Sequence, residues 1–96
     1  MKYMLLMEFK DPFADNMRKV SASQKERIEK GLSFTREESL FPWHFSVTEG
    51  KAVAIYETDD EMKVVKWVLD YSPYAKVQAI PLVGLAEYTK KMAPAP

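Results

Sequence analysis

The stretch KYMLLMEF at residues 2–9 decides the fold, because its side chains alternate between two sides of an extended chain. One side carries Tyr3, Leu5, Met7 and Phe9. The other side carries Met4 and Leu6 between Lys2 and Glu8. This pattern predicts a first β-strand with apolar residues on both faces.

Turn and capping signals divide the rest of the chain. Asp11-Pro12 ends the strand and opens a helix, which runs to Lys30 and stops at Gly31. The aromatic-rich segment 40–48 predicts a second strand, which Pro42 confines to a sheet edge or a bulge. Glu49-Gly50 predicts a hairpin turn into a third strand at 51–57.

A second helix and a fourth strand follow. Thr58 to Glu61 have the form of a capping box, which predicts a helix that ends at Ser72-Pro73. The segment 76–83 then predicts a strand, and Gly84 begins a short helix to about Met92. We expect one domain over 1–92 and a flexible tail over 93–96.

The order β-α-β-β-α-β is that of the α+β ferredoxin-like fold, with spatial strand order four-one-three-two and both helices on one face of the sheet. An antiparallel register that places Lys2 opposite Glu57 also places Glu8 opposite Lys51, so opposite charges meet at both ends. We read these acids mainly as members of cross-strand ion pairs.

The second strand is placed by its turn. A two-residue turn puts His44 beside Ile55 and Ser46 beside Val53. The helix-covered face then contains Tyr3, Leu5, Met7, Phe9, Trp43, Phe45, Val47, Ala52, Ala54 and Tyr56. A hairpin shifted by one residue is the alternative, and it would bury His44 and expose Trp43 on the bare face.

The bare face is too apolar to remain in water. It combines eight residues, namely Met4, Leu6, His44, Ser46, Val53, Ile55, Gln78 and Ile80. The hydrophobic fraction of 47% is also generous for 96 residues. We therefore expect a homodimer whose sheets pack face to face around a chamber that binds a small apolar or aromatic ligand.

Charge and composition argue against other partners. Fourteen basic residues balance fourteen acidic ones, so no basic field attracts nucleic acid or a membrane surface. The absence of cysteine fits a cytoplasmic protein, and residues 1–9 are too short and too charged for a signal peptide or a membrane span.

His44 is the candidate catalytic residue, because histidine exchanges protons near neutral pH and this is the only one. With Ser46 and Gln78 nearby, it could bind and deprotonate a phenol, quinol or enol. The alternative is a histidine that only makes a structural hydrogen bond. Thr58 is followed by three acidic residues, Asp59 to Glu61, which are better explained by helix capping than by a metal site. The three glycines are isolated and form no phosphate loop.

The chain also resembles an uncharacterised family within the dimeric α+β barrel superfamily. The resemblance rests on the start MKYMLLMEF, the pair Trp43-His44, the run YETDDE at 56–61, the helix VVKWVLDYS and the strand VQAIPLV. It implies a homodimer with one shared barrel. Relatives in the superfamily include cofactor-independent monooxygenases, haem-degrading oxygenases, lactone isomerases and stress-induced binding proteins.

The haem-degrading role does not transfer to this chain. Those members use a helix histidine with a particular asparagine and tryptophan, whereas His44 lies on a predicted strand and Asn16 on the first helix. We expect no cofactor and no metal. Two functions remain open: a ligand-binding dimer with cofactorless oxygenase or isomerase activity, or a non-catalytic stress-type or regulatory dimer.

Overall fold

The computed structural model describes residues 1–92, and the predicted tail at 93–96 lies outside the described residues. In chain order the elements are β1 (Lys2–Phe9), α1 (Phe13–Glu29), β2 (Ser39–Ser46), β3 (Lys51–Glu57), α2 (Glu61–Tyr71), β4 (Ala75–Leu82) and α3 (Leu85–Met92). One 3-10 turn, Arg36–Glu38, precedes β2. The ferredoxin-like α+β fold is therefore confirmed.

The strands form one antiparallel sheet in the order β2-β3-β1-β4. The predicted register of β1 and β3 is confirmed, with Lys2 opposite Glu57 and Glu8 opposite Lys51. On its other side β1 pairs with β4, where Leu6 lies opposite Gln78. β1 therefore has a paired neighbour on both sides, in agreement with the apolar residues on both of its faces.

The predicted two-residue turn between β2 and β3 is wrong. Ser46 pairs with Lys51, so the connection is the four-residue loop 47–50, and His44 lies opposite Val53 rather than Ile55. The error is two residues, which keeps His44, Phe45 and Ser46 on their predicted faces of the sheet. Two predicted core residues are nevertheless displaced: Val47 enters the loop at 66% exposure, and Phe45 is 47% exposed near the end of the strand.

A bulge interrupts β2 at Pro42, as its sequence predicts. Phe41 lies opposite Ile55 and His44 lies opposite Val53, so three steps along β2 match two along β3. The extra residue places Phe41 and His44 on the same side, where their rings stack with centroids 4.3 Å apart. Trp43 turns to the helix side and stacks on Trp67.

Both edge strands contain a proline within their paired length. Pro42 lies in β2 and Pro81 in β4, where it is opposite Tyr3. Proline has no backbone N–H, so a paired strand accepts it only where that group would point away from its neighbour. Each free edge of the sheet therefore lacks a donor at the proline.

Local hydrogen bonds stabilise the end of α1 and the start of α2, and they correct the predicted N-cap of α2. After α1, Gly31 has φ +68° and the N–H groups of Gly31 and Leu32 donate to the carbonyls of Ile28 and Arg27, which is a Schellman motif. The N-cap of α2 is Asp60, whose carboxylate accepts from the Met62 N–H at 3.0 Å, and not Thr58. The Thr58 hydroxyl instead accepts a hydrogen bond from the Asp60 N–H, just before the helix begins.

The core lies between the helices and one face of the sheet. Its buried members come from β1, α1, β3, α2 and β4, namely Leu5, Met7, Phe9, Val20, Ala52, Trp67, Tyr71 and Ala75. Tyr3, Trp43 and Tyr56 pack against this cluster. Helices α1 and α2 contribute to this core, and no residue of α3 is buried. Among residues 1–92, the Met4 and Leu6 side of the sheet is therefore not covered by a helix. Within residues 1–92, no helix has the length and apolar character needed to cross a bilayer.

Candidate functional site

The uncovered face is built from rows of residues that lie opposite one another across the strands. One row takes a residue from each strand in the order His44, Val53, Leu6 and Gln78. Neighbouring strands lie about 4.8 Å apart, so the row is about 14 Å long. A histidine and a glutamine thus stand at the ends of a row whose middle is apolar.

The rows on either side differ in polarity. Toward the 47–50 loop lies a polar row of Ser46, Lys51, Glu8 and Lys76. In the other direction lies an apolar row of Phe41, Ile55, Met4 and Ile80. The face therefore changes from apolar to charged along the strands, and the histidine row forms the boundary.

A groove of about 460 Å³ lies along this boundary. Its lining combines the histidine row and the polar row, together with Met7 and Ala52. Its volume is in the range of small-molecule sites. Five of the eight residues predicted from the sequence line it: Leu6, His44, Ser46, Val53 and Gln78. The other three, Met4, Ile55 and Ile80, share the face but lie in the apolar row beyond the groove lining.

The His44 ring is held in one orientation by its own strand. Its Nδ1 lies 2.7 Å from the Pro42 carbonyl oxygen, which can only accept a hydrogen bond. Nδ1 must therefore carry the proton, and in the neutral ring Nε2 has the free lone pair. The ring also stacks on Phe41. The bulge at Pro42 thus leaves an exposed histidine with its basic nitrogen available.

The charged residues of the groove are arranged differently from the sequence prediction. Glu8 lies between Lys51 and Lys76 in the register, but it forms no ion pair with either, and Lys51 instead lies 3.7 Å from Glu49. Glu8 therefore lies opposite Lys51 as predicted, but the predicted ion pair between these two residues is wrong. Lys76 was missed, but extending the antiparallel pairing of β1 and β4 to Glu8 would have placed it on this face.

Candidate cofactor and metal ligands do not converge on this face. Across residues 1–92, no three side chains of the histidine, cysteine and acidic types are close enough together to hold a metal ion. Asn16 is buried, and its amide donates to the Lys10 carbonyl at 2.9 Å, which fixes the start of α1. This asparagine has a structural role away from His44.

A partly buried ion pair lies outside the groove, between the 3-10 turn and α2. Glu38 accepts hydrogen bonds from the Lys63 ammonium at 2.7 Å and from the Thr35 N–H at 2.8 Å. Partial burial disfavours the Glu38 carboxylate, but these hydrogen bonds outweigh it and lower the pKa of Glu38 to about 2. This is a capping box at Thr35 and Glu38, which the sequence analysis did not predict.

Two tyrosines on the helix side are also perturbed. Burial raises the pKa of the Tyr56 phenol, and the pKa of Tyr71 is raised for the same reason. Tyr71 lies in the core, where the Arg27 guanidinium is 5.9 Å from its ring centre and pairs with Asp70. Arg27, Asp70 and Tyr71 join α1 to α2, and neither tyrosine lines the groove.

Comparison with known proteins places the chain in a family without a known activity. No curated protein matches it. One family model, described as a domain of unknown function (DUF3303), matches residues 1–96, which is the whole sequence. With the fold and the groove described above, the match shows that this chain belongs to the DUF3303 family.

Proposed function

We propose that this protein forms a homodimer of the dimeric α+β barrel type, in which two uncovered sheet faces meet and enclose a site for a small apolar or aromatic molecule. The groove of about 460 Å³ beside His44 carries this proposal. An uncovered apolar face of four strands is the kind of surface that a second copy covers. We expect the dimer in the cytoplasm, in keeping with a chain that has no cysteine.

The chemistry that suits this groove is removal of a proton from a bound phenol, quinol or enol. His44 Nε2 accepts the proton while Nδ1 keeps its hydrogen bond to Pro42. Ser46 and Gln78 offer hydrogen bonds from the same groove. The resulting anion is electron-rich, so it can take the proton back on a carbon instead of the oxygen, as in an isomerase, or can react with molecular oxygen, as in a cofactorless monooxygenase.

Titration of the purified protein with quinols, phenols and haem tests this function. We expect binding or turnover of a quinol or phenol, and a loss of turnover in His44→Ala. Phe45→Ala is the matched control, because Phe45 is the next residue of β2 and points to the opposite face. Equal turnover in His44→Ala and the unchanged protein would remove His44 from the mechanism.

A second function is favoured by the apolar row. Phe41, Ile55, Met4 and Ile80 lie outside the groove lining, and they suit a flat contact between two subunits. The contacts of His44 with Pro42 and Phe41 also give that histidine a structural role. On this reading the protein is a non-catalytic stress-type or regulatory dimer. A crystal structure of the dimer with side chains filling the barrel, and no cavity larger than a water beside His44, would favour it.

A further inference from the structure

Lys76 is a cation of the groove that forms no ion pair within residues 1–92. It lies on the edge strand β4, opposite Glu8, and it is exposed. The other lysine of the polar row, Lys51, is near Glu49. The two lysines flank a single glutamate, so the polar row has an excess of positive charge, and the cation on the β4 side is available to a ligand.

Gln78 lies beside Lys76 on the same side of β4, because residues two apart in a strand share a face. It is exposed and lines the groove. An ammonium group and an amide N–H two residues apart can both donate to the oxygens of one carboxylate. This end of the groove is therefore suited to an acidic group.

The other end of the same row carries His44, about 14 Å away across three strand spacings. Between them lie Val53 and Leu6, which are half-buried and offer an apolar floor. A ligand that contacts both ends must be elongated and apolar in its middle. The row thus defines the length and polarity of what it can hold.

We infer that the groove takes an elongated amphiphilic anion, with its carboxylate at Lys76 and Gln78, its apolar or aromatic body on Leu6 and Val53, and a hydroxyl directed to His44. The inference rests on the proposed function, and it names the substrate class of that site. Glu8 lies beside Lys76 and repels a second negative charge, so a monoanion is preferred to a dianion.

Three probes and two variants test the inference. The probes are the biphenyl that carries a hydroxyl and a carboxylate at opposite ends, para-phenylphenol, which lacks the acid, and para-hydroxybenzoate, which has only one ring. Their binding is measured by calorimetry with the unchanged protein, with Lys76→Gln and with Lys2→Gln. Lys2→Gln is the matched control, because it removes the same charge from the opposite end of the same face.

We expect the two-ring acid to bind most tightly, and Lys76→Gln to weaken its binding about two- to fivefold, the range of an exposed ion pair. Lys2→Gln and the neutral probe with Lys76→Gln should show no such loss. Equal affinity for the acid and the neutral probe, or equal losses in both variants, would overturn the substrate class and leave the binding function intact. Failure of all three probes to bind would overturn both the binding function and the substrate class.

Discussion

Trp43 and Trp67 stack with ring centroids 5.9 Å apart, which joins the edge strand β2 to helix α2. Trp43 precedes His44 in β2, so its side chain lies on the opposite face of the sheet, where the helices pack. Trp67 is only 4% exposed, and it also packs against Tyr71. The position of β2, and with it the position of His44, is therefore fixed from the helix side of the sheet.

The first prediction compares two aromatic residues. Trp67→Ala should lower the free energy of unfolding by about 3–5 kcal/mol, because it opens a cavity in the core. Phe45→Ala should cost less than about 2 kcal/mol, because its ring is already half exposed. Urea denaturation measures both. A larger loss for Phe45 than for Trp67 would contradict the placement of the end of β2.

The second prediction concerns pH. The pKa of Glu38 is lowered from 4.5 to about 2, so its stabilising contribution is present above pH 4.5 and is lost as the pH falls toward 2. Glu38→Gln should lower the free energy of unfolding at neutral pH by about 1–2 kcal/mol and flatten its pH dependence in that window. Denaturation series at several pH values measure this effect.

The control for that experiment is Glu37→Gln. Glu37 belongs to the same 3-10 turn and is exposed, but Lys63 pairs with Glu38. The control should leave both the stability and its pH dependence unchanged within about 0.5 kcal/mol. Identical pH profiles for Glu38→Gln and the unchanged protein would rule out the low pKa.

The third prediction uses two glycines with the same backbone conformation. Gly31 and Gly50 have φ +68° and +64°, so alanine is strained at both and should cost about 1–2 kcal/mol. A Cβ at Gly50 would also lie 3.1 Å from the Phe13 ring, whereas nothing lies within 4 Å at Gly31. Gly50→Ala should therefore be the more destabilising substitution.

Phe13→Leu supplies the control for this pair. If the extra cost at Gly50 comes from the Phe13 ring, it should shrink when both substitutions are combined. The cost at Gly31 should not change in the same background. Equal losses for the two alanine variants in the original protein would show that Phe13 moves away freely.

The fourth prediction tests the homodimer. Light scattering at micromolar concentration should give the mass of two chains, and Ile80→Glu should shift it toward one, because a carboxylate would be buried in the apolar row. Leu69→Glu is the matched control, since Leu69 is 67% exposed on α2 and lies away from that face. If the unchanged protein has the mass of one chain, the proposed homodimer is wrong.

The parts of the fold that could be predicted are those where two independent signals agree. For β1 and β3, the alternation of residues and the opposite charges at both ends specify one register, and that register is present. The pair β2 and β3 had only the turn as a signal. Glu49-Gly50 fits a two-residue turn, but Gly50 serves as the last residue of a longer loop.

The residues of the site were also predicted in part. A two-residue slip does not change faces, so His44, Ser46 and Val53 line the groove although their pairing was wrong. Alternation shows which face of the sheet a residue is on, but it does not show how far along the strands the groove extends. The residues that line the groove could therefore not be separated from the other residues of the same face. Alternation therefore groups Met4, Ile55 and Ile80 with the lining, and it does not single out Lys76.

The prolines of the two edge strands limit how copies of this chain can associate. Pro42 and Pro81 each remove a donor from a free edge, so neither edge is a good template for an added strand. Sheets therefore cannot readily extend sideways into open-ended fibrils. When two copies associate through their uncovered faces, neither copy has a second such face to bind a third. An assembly formed in this way therefore stops at a finite size.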